Sequence, residues 1–298
     1  MNKWSVATIG FFDGVHLGHQ KLIATVKQLA KSSNLRSLVF TFDKSLKSKE
    51  LIFSFKKKIK DIKLFKVDKI IVLNFEKIKN LSPKKFFEKF IVKNKVKMIV
   101  IGSDFRFGKN ASGDVDLLIS LAKKHMISVA VIKDVKVKIN NKNYSVSSSL
   151  IRDKIKKSKF KEVKNLLGKD YYIEGKPVSG YKIGSRFLGV PTLNVKPDGL
   201  ALPKGVILGI TEIDKKKFFS IANFGYSPTF DFKKREFLVE IHILGEKNIK
   251  AKNNLLKFYP IKKIRNEKKF PSIFSLKERI MKDIKIAYDF FKTYKGGN

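Results

Sequence analysis

Thr8-Ile-Gly-Phe-Phe-Asp-Gly-Val-His-Leu-Gly-His19 follows a short β-rich run, Val6–Ile9, and leads into Leu22, Ile23, Val26, Leu29 and Ala30 at helical spacing. The stretch therefore reads as a glycine-rich strand-to-helix turn. Gly10, Gly14 and Gly18 permit close backbone approach, and His16 and His19, three residues apart, share a face at the N-terminal end of the helix. Free N–H groups and the helix dipole favour anions there. Two imidazoles on one phosphate suit the stabilisation of charge developing at a nucleotide α-phosphate and on departing pyrophosphate. A single histidine is more often structural, but two of the chain's four fall in this one turn.

The same alternation of strand and helix continues through the first half. Strands are expected at Leu38–Phe42, Lys69–Leu73, Met98–Ile101 and Ser128–Ile132. A helix opens at Ser82-Pro83, a cap followed by proline in the first turn, and runs to about Asn94; another lies near Asp116–Lys124. Such alternation predicts a parallel sheet covered by helices, with ligands collecting at the C-terminal ends of the strands.

From Tyr171 the character changes. Short strand-like runs at Val190–Val195, Val206–Ile213, Phe218–Phe224 and Phe237–Leu244 are separated by turn residues. Ser275 then opens an amphipathic helix carrying Leu276, Ile280, Ile284, Ala287 and Tyr288. This half predicts a small β-barrel closed by a C-terminal helix, with the boundary near Ser158–Gly168, on or beside a short helix.

Composition narrows the chemistry. The 298 residues include no cysteine, which excludes disulfides, thiolate metal sites and cysteine nucleophiles. No apolar run approaches membrane-span length, and no basic-then-apolar signal segment precedes the first strand, so a cytoplasmic protein with no membrane partner is expected. Lys and Arg number 65 against 26 acids, a net charge of +39. The lysines are scattered, as at Lys56–Lys58, Lys123–Lys124 and Lys215–Lys217, and Phe, Ile and Asn are plentiful too. Compositional drift accounts for this pattern better than a nucleic-acid site does; any attraction to nucleic acid is expected to be non-specific and strongly salt-dependent.

The opening turn resembles the signature of the nucleotidyltransferase superfamily. Two further segments resemble the FMN adenylyltransferase half of bacterial bifunctional riboflavin kinase/FAD synthetases. Ile101-Gly-Ser-Asp-Phe-Arg-Phe-Gly-Lys109 is similar to that family's flavin-side loop, and Ser147-Ser-Ser-Leu-Ile-Arg152 to its serine-rich phosphate loop. The resemblance implies that His16 and His19 are catalytic. It gives ATP contacts to Gly10, Phe11, Asp13, Gly14, Gly18, Ser147, Ser148 and Arg152, and flavin contacts to Asp104, Arg106 and Gly108. Hydroxyls and an arginine at a helix start make a sensible phosphate clamp. The chain departs from the family in two places. Phe42 leads into Asp43-Lys-Ser-Leu46 where a Pro-His-Pro element is usual, and Ser149 and Leu150 replace threonine and arginine. Lys44 and Lys47 are expected to supply part of the missing charge, giving a weak and salt-sensitive adenylyl transfer.

The second half resembles riboflavin kinases. Gly175-Lys-Pro-Val-Ser-Gly180 and Arg186-Phe-Leu-Gly-Val-Pro-Thr-Leu-Asn194 are similar to that family's opening, with Ser185 separating Gly184 from Arg186 where the family has them adjacent. The resemblance implies that Thr192 and Asn194 hold Mg²⁺ with ATP, through the oxygen ligands hard cations need, and that Gly180 and Gly189 bound a phosphate-covering loop. Ile221-Ala-Asn-Phe-Gly-Tyr-Ser-Pro-Thr-Phe230 and Val239-Glu-Ile-His-Ile-Leu244 match in order. On a strand, Glu240 and His242 point away from Val239, Ile241 and Ile243. The resemblance makes Glu240 the base that takes the proton of riboflavin's 5′-hydroxyl, and leaves His242 structural. Ile264-Arg-Asn-Glu-Lys-Lys-Phe270, with Leu276 and Asp283 beyond it, is similar to the flavin-covering segment, which implies flavin contacts for Arg265, Glu267 and Phe270.

The expected architecture is an α/β nucleotidyltransferase (Rossmann-like) parallel-sheet domain, residues 1–166, followed by a β-barrel riboflavin kinase domain with a C-terminal helix, residues 167–298. The expected function is conversion of riboflavin to FMN and of FMN to FAD, with riboflavin, FMN, FAD and ATP as partners. A kinase with a weakened or inactive first domain is the alternative. A basic RNA-binding protein on this scaffold is the third reading, disfavoured by retention of both histidines and of Thr192, Asn194 and Glu240.

Overall fold

The computed structural model describes residues 4–43, 50–178, 190–197, 199–226, 237–246 and 255–294. The chain divides into two compact units, 1–151 with 166–168, and 152–165 with 169–298.

The first unit is built on β1 (Ser5–Ile9), β2 (Arg36–Phe42), β3 (Lys69–Leu73), β4 (Val96–Gly102) and β5 (Ser128–Ile132). They form one sheet in the order β3-β2-β1-β4-β5, parallel throughout. β1 is entirely buried, as a sheet covered on both faces requires. One face packs Ala7, Ile9, Leu38, Phe40, Ile99 and Ile101 into a core with residues of α4 (Pro83–Phe87) and α5 (Val115–Lys124). On the other face, Val6 and Val100 pack with Val26 and Ala30 of α1 (Leu17–Ser32). Val39 joins Ile23 and Ile62, the latter from α2 (Phe55–Lys63). The order of connection reverses between β1 and β4, so the loops leaving these two strands open onto the switch point where such sheets hold ligands.

For β1 to β5, expected and observed strands agree within two residues at each end. The helix opened by Ser82 changes character at its middle. After Phe87 it widens into a π-turn over Glu88–Val92, ended by Lys93. The short α3 (Phe75–Ile78), capped by Asn74, and a hairpin of β6 (Lys136–Ile139) and β7 (Lys142–Ser145) complete the segment before α6 (Ser148–Lys156) and α7 (Phe160–Leu167).

The second unit carries β8 (Ile173–Gly175), β9 (Pro177–Val178), β10 (Leu193–Val195), β11 (Gly205–Ile213), β12 (Lys216–Tyr226), β13 (Phe237–Ile243) and β14 (Leu256–Arg265). They pair in the order β8-β14-β11-β12-β13-β10-β9. The two ends of that order, β8 and β9, are separated in the chain by Lys176 alone. A sheet whose outer strands are chain neighbours must curl, and the result is a nearly closed antiparallel barrel. The strand expected over Val190–Val195 is shorter, because Val190–Thr192 run outside the ladder. α8 (Ile273–Thr293) begins before Ser275: Ser272 is the cap, and Ser275 is the third residue of a capping box in which each backbone N–H is accepted by the other serine's hydroxyl. Ala287 and Phe291 of this helix pack with Val206, Leu208 and Ile221.

Candidate active sites

The turn after β1 is held in an unusual conformation. Phe12, Gly14 and Val15 have φ of 55°, 75° and 42°, all left-handed. Glycine relieves this at position 14, where a side chain would also strike Ile52. The other two residues are kept there by packing and by hydrogen bonds from below. The Asp13 carboxylate accepts the Ile52 N–H at 2.9 Å, and its carbonyl accepts the Ser148 hydroxyl at 3.1 Å. The Phe11 carbonyl accepts from Thr41 Oγ1 at 3.2 Å and Lys58 Nζ at 3.0 Å.

His16 stands just outside α1 as its N-cap, with His19 inside the first turn. His16 Nδ1 accepts the His19 backbone N–H at 3.4 Å, which leaves the proton of a neutral His16 ring on Nε2. The rings stack with centroids 3.5 Å apart. A side chain at Gly18 would meet the His16 ring, so the glycine makes room for it. Gly10 enters the turn from β1, its N–H bonded to the Phe40 carbonyl.

Two other matched segments lie in or lead into this unit. At the end of β4, Asp104 and Arg106 are exposed, Arg106 pairing with Asp114 at 3.4 Å, and the rings of Phe105 and Phe107 are stacked. Gly108 lies against the Pro83 ring. At the start of α6, Ser147 caps the helix by accepting the Leu150 N–H, and Ser148 bonds the glycine-rich turn as above. Arg152, later in the same helix, falls with the second unit.

In the second unit β13 lies between β10 and β12, and Glu240 is the register partner of Asn194 on one side and Asn223 on the other. Cross-strand partners share a face, so the three side chains form a row. The Asn223 amide donates to the Glu240 carboxylate. Burial nevertheless pushes the Glu240 carboxyl above the usual carboxylate range, with the Asn223 bond opposing it. Asn194 is buried and its Oδ1 has no hydrogen-bond partner among the described residues. Thr192 is half-buried two residues earlier. His242 Nδ1 lies 2.8 Å from the Pro191 carbonyl, tying the Thr192 segment to β13. An orphaned buried amide oxygen beside a hydroxyl and a carboxylate fits a hard cation that shares its remaining ligands with phosphate oxygens.

On the flavin-side segment, Arg265 is engaged. Its Nε donates to Asp283 at 2.7 Å, and Arg279 reaches the other carboxylate oxygen at 3.0 Å. Asp283 is 2% exposed. Arg265 also lies over the Phe270 ring, 5.9 Å from its centroid, and Glu267 packs on Gly225. Gly180 and Gly189, with Gly184, Ser185 and Arg186 between them, and Lys44 and Lys47 lie outside the described residues.

Sequence reasoning missed Lys58 and the role of Asn223. The signal for Asn223 was available: it occupies one of the outward positions of an alternating strand. Lys58 carried none, being one of three consecutive lysines.

Comparison with known proteins supplies the context. A family model described as FAD synthetase matches residues 1–150, and one described as riboflavin kinase matches residues 167–291. The bifunctional riboflavin kinase/FMN adenylyltransferase of Buchnera aphidicola from Schizaphis graminum is 34% identical, over 98% of this chain and 95% of its own. That of Bacillus subtilis is 32% identical over 98% and 94%. A structure solved as a macrolide-efflux protein from Streptococcus pneumoniae superposes with a TM-score of 0.78 at 27% identity, covering 97% of this chain and 95% of that one. Among the described residues of this chain, no helix is long and apolar enough to cross a membrane.

Proposed function

Since the chain belongs to the bifunctional riboflavin kinase/FMN adenylyltransferase family, making FMN from riboflavin and FAD from FMN with ATP, we propose how its own residues divide the two reactions. Residues 1–166 carry adenylyl transfer and residues 167–298 carry the kinase. The FAD synthetase match over 1–150 supports retention of the first activity over the kinase-only alternative.

In the kinase, the observation that carries the reading is the row Asn194–Glu240–Asn223 with its unsatisfied amide oxygen. Glu240 takes the proton from the riboflavin 5′-hydroxyl as that oxygen bonds to the γ-phosphorus and the bond to the β,γ-bridging oxygen breaks, releasing ADP. Asn223 orients the carboxylate, and His242 fixes the Thr192 segment through Pro191. Thr192 and Asn194 would hold Mg²⁺, which when bound neutralises the phosphates of ATP. Glu267 and Phe270 face the flavin, with Arg265 contributing from its place beside Asp283. The family resemblance assigns phosphate contacts to Gly180 and Gly189.

In adenylyl transfer, an oxygen of the FMN phosphate attacks the α-phosphorus of ATP and pyrophosphate leaves. That phosphate is already a nucleophile at neutral pH, so positioning and charge stabilisation do the rest. His16 and His19 serve the α-phosphate and leaving group. The turn Gly10–Gly18, with Phe11, Asp13, Gly14, Ser147 and Ser148, cradles ATP, and the family resemblance gives Arg152 a phosphate contact. Asp104, Arg106 and Gly108 serve the flavin side.

The working compartment is the cytoplasm, where ATP is abundant, and attraction to nucleic acid is diffuse and salt-screened. Incubating the protein with riboflavin, ATP and Mg²⁺ and separating the flavins by chromatography tests the reading. FMN should appear first and FAD after it; FMN accumulating without FAD would reject the adenylyl-transfer half.

A further inference from the structure

Among the described residues of this lysine-rich chain, Lys58 is the lysine that is buried, at 3% exposed. It sits one turn into α2, behind the cap Ser54, and its ammonium donates to two main-chain carbonyls: Phe11 at 3.0 Å and Phe42 at 2.7 Å. The first belongs to the glycine-rich turn and the second to the end of β2, where the chain departs from its family's Pro-His-Pro element. Nζ also lies 4.0 Å from the centroid of the Phe11 ring. Asp13 and Asp43 face it electrostatically, yet burial still lowers the ammonium to about 8.

A buried ammonium is costly, and a turn whose own residues are already packed into the fold does not require one. The orientation it imposes points to a use. The Phe11–Phe12 peptide is trans, so its N–H points opposite to its carbonyl. Lys58 and Thr41 both donate to that carbonyl from within the fold. The Phe12 N–H is therefore directed away from both of them, and charge drawn toward the oxygen strengthens it as a donor.

We propose that Lys58 is a positioning residue for adenylyl transfer: acting with Thr41 on the Phe11 carbonyl, it fixes and polarises the Phe11–Phe12 peptide as an N–H donor to the nucleotide phosphates. The inference rests on the assignment of this turn to ATP.

Lys58→Met and Thr41→Val are compared with the parent in FMN adenylylation and in riboflavin phosphorylation, with His16→Ala alongside. A donor used most in the transition state should cost roughly ten- to a hundredfold in kcat for FAD formation in each variant, with the KM for ATP within about twofold. Riboflavin kinase turnover should stay at the parent value, and the near-parental KM for ATP together with an unchanged far-UV circular dichroism spectrum reports that the first unit is folded. Thr41→Val keeps the test alive should Lys58→Met fail to fold. Parental kcat in Thr41→Val, or a loss confined to KM, overturns the proposal while His16→Ala remains impaired. If His16→Ala also makes FAD normally, the assignment of the turn itself has failed.

Discussion

The rings of His16 and His19 lie against one another, 3.5 Å between centroids and 20° from parallel, although only His19 belongs to the helix. Two rings so placed can serve a single phosphate. Changing His19 to Ala should lower kcat for FAD formation by roughly 10²–10³-fold and leave the kinase alone. His16→Ala should show the same loss together with a lower melting temperature, since it also removes an N-cap. His16→Asn should recover the melting temperature and not the rate. Equal loss of both activities in His19→Ala would make the pair structural.

Glu240→Gln should cut FMN formation by roughly 10²–10⁴-fold while supplied FMN is still converted to FAD. Because burial raises the Glu240 carboxyl, kinase turnover should fall as pH drops through that raised value. The stability effect runs in the opposite sense. Between the unfolded and the folded pKa the native chain holds the extra proton, so stability declines as pH rises through this window and stays lower above it. The glutamine variant avoids that cost and should melt at or above the parent temperature at neutral pH. A dead kinase that also melts early would place Glu240 in the fold and not in the reaction.

Asp283 is buried between Arg265 and Arg279, and Asp283→Ala would leave two guanidinium groups without their partner. Because both guanidinium groups keep access to water, a loss of about 1–3 kcal/mol is expected. Heat inactivation of the kinase, followed by residual FMN formation after timed heating, should therefore shift to clearly lower temperature. Unchanged heat resistance would show that the pair contributes nothing, and would free Arg265 for a direct role at the flavin.

Ionic strength separates two sources of charge in adenylyl transfer. Charge supplied by solvent-accessible lysines, the role expected of Lys44 and Lys47, would be screened, whereas charge from the buried Lys58 would not. If Lys58 supplies the charge, FAD formation with substrates saturating should change little between about 0.05 and 0.5 M KCl, in contrast to the salt-sensitive rate expected if Lys44 and Lys47 do. A steep fall in kcat would return the role to Lys44 and Lys47.

The parallel sheet was legible because β1, β2, β4 and β5 are short apolar runs with turn residues at their ends, and the site turn was legible because its glycines and histidines are concentrated. α2 was not. Phe55, Ile59 and Ile62 do recur at helical spacing, but Lys58 and Asp61 share the buried face with Ile62 and Lys57 pairs to Asp61, so the short apolar stripe is masked by charge. β14 was missed for a related reason: Pro260 argues against a strand, yet it sits at a register irregularity opposite Gly209, where a ladder tolerates it. Arg265 has a partner that the motif did not announce: the fold joins its guanidinium to the carboxylate of Asp283, eighteen positions along.

β8 and β9, split only by Lys176, close the barrel from its two edges, and this orders events during synthesis. β8 pairs with Leu256–Phe258, and β9 with Asn194–Val195. The earliest strand of the barrel must wait through some eighty residues of translation for its partner to leave the ribosome, a matter of seconds at bacterial elongation rates. The parallel sheet, whose strands all lie before residue 133, is complete by then. A nascent chain is thus equipped to assemble its nucleotidyl-transfer half first, and a message truncated before codon 256 would yield that half with an unclosed, sticky β-sheet trailing behind it.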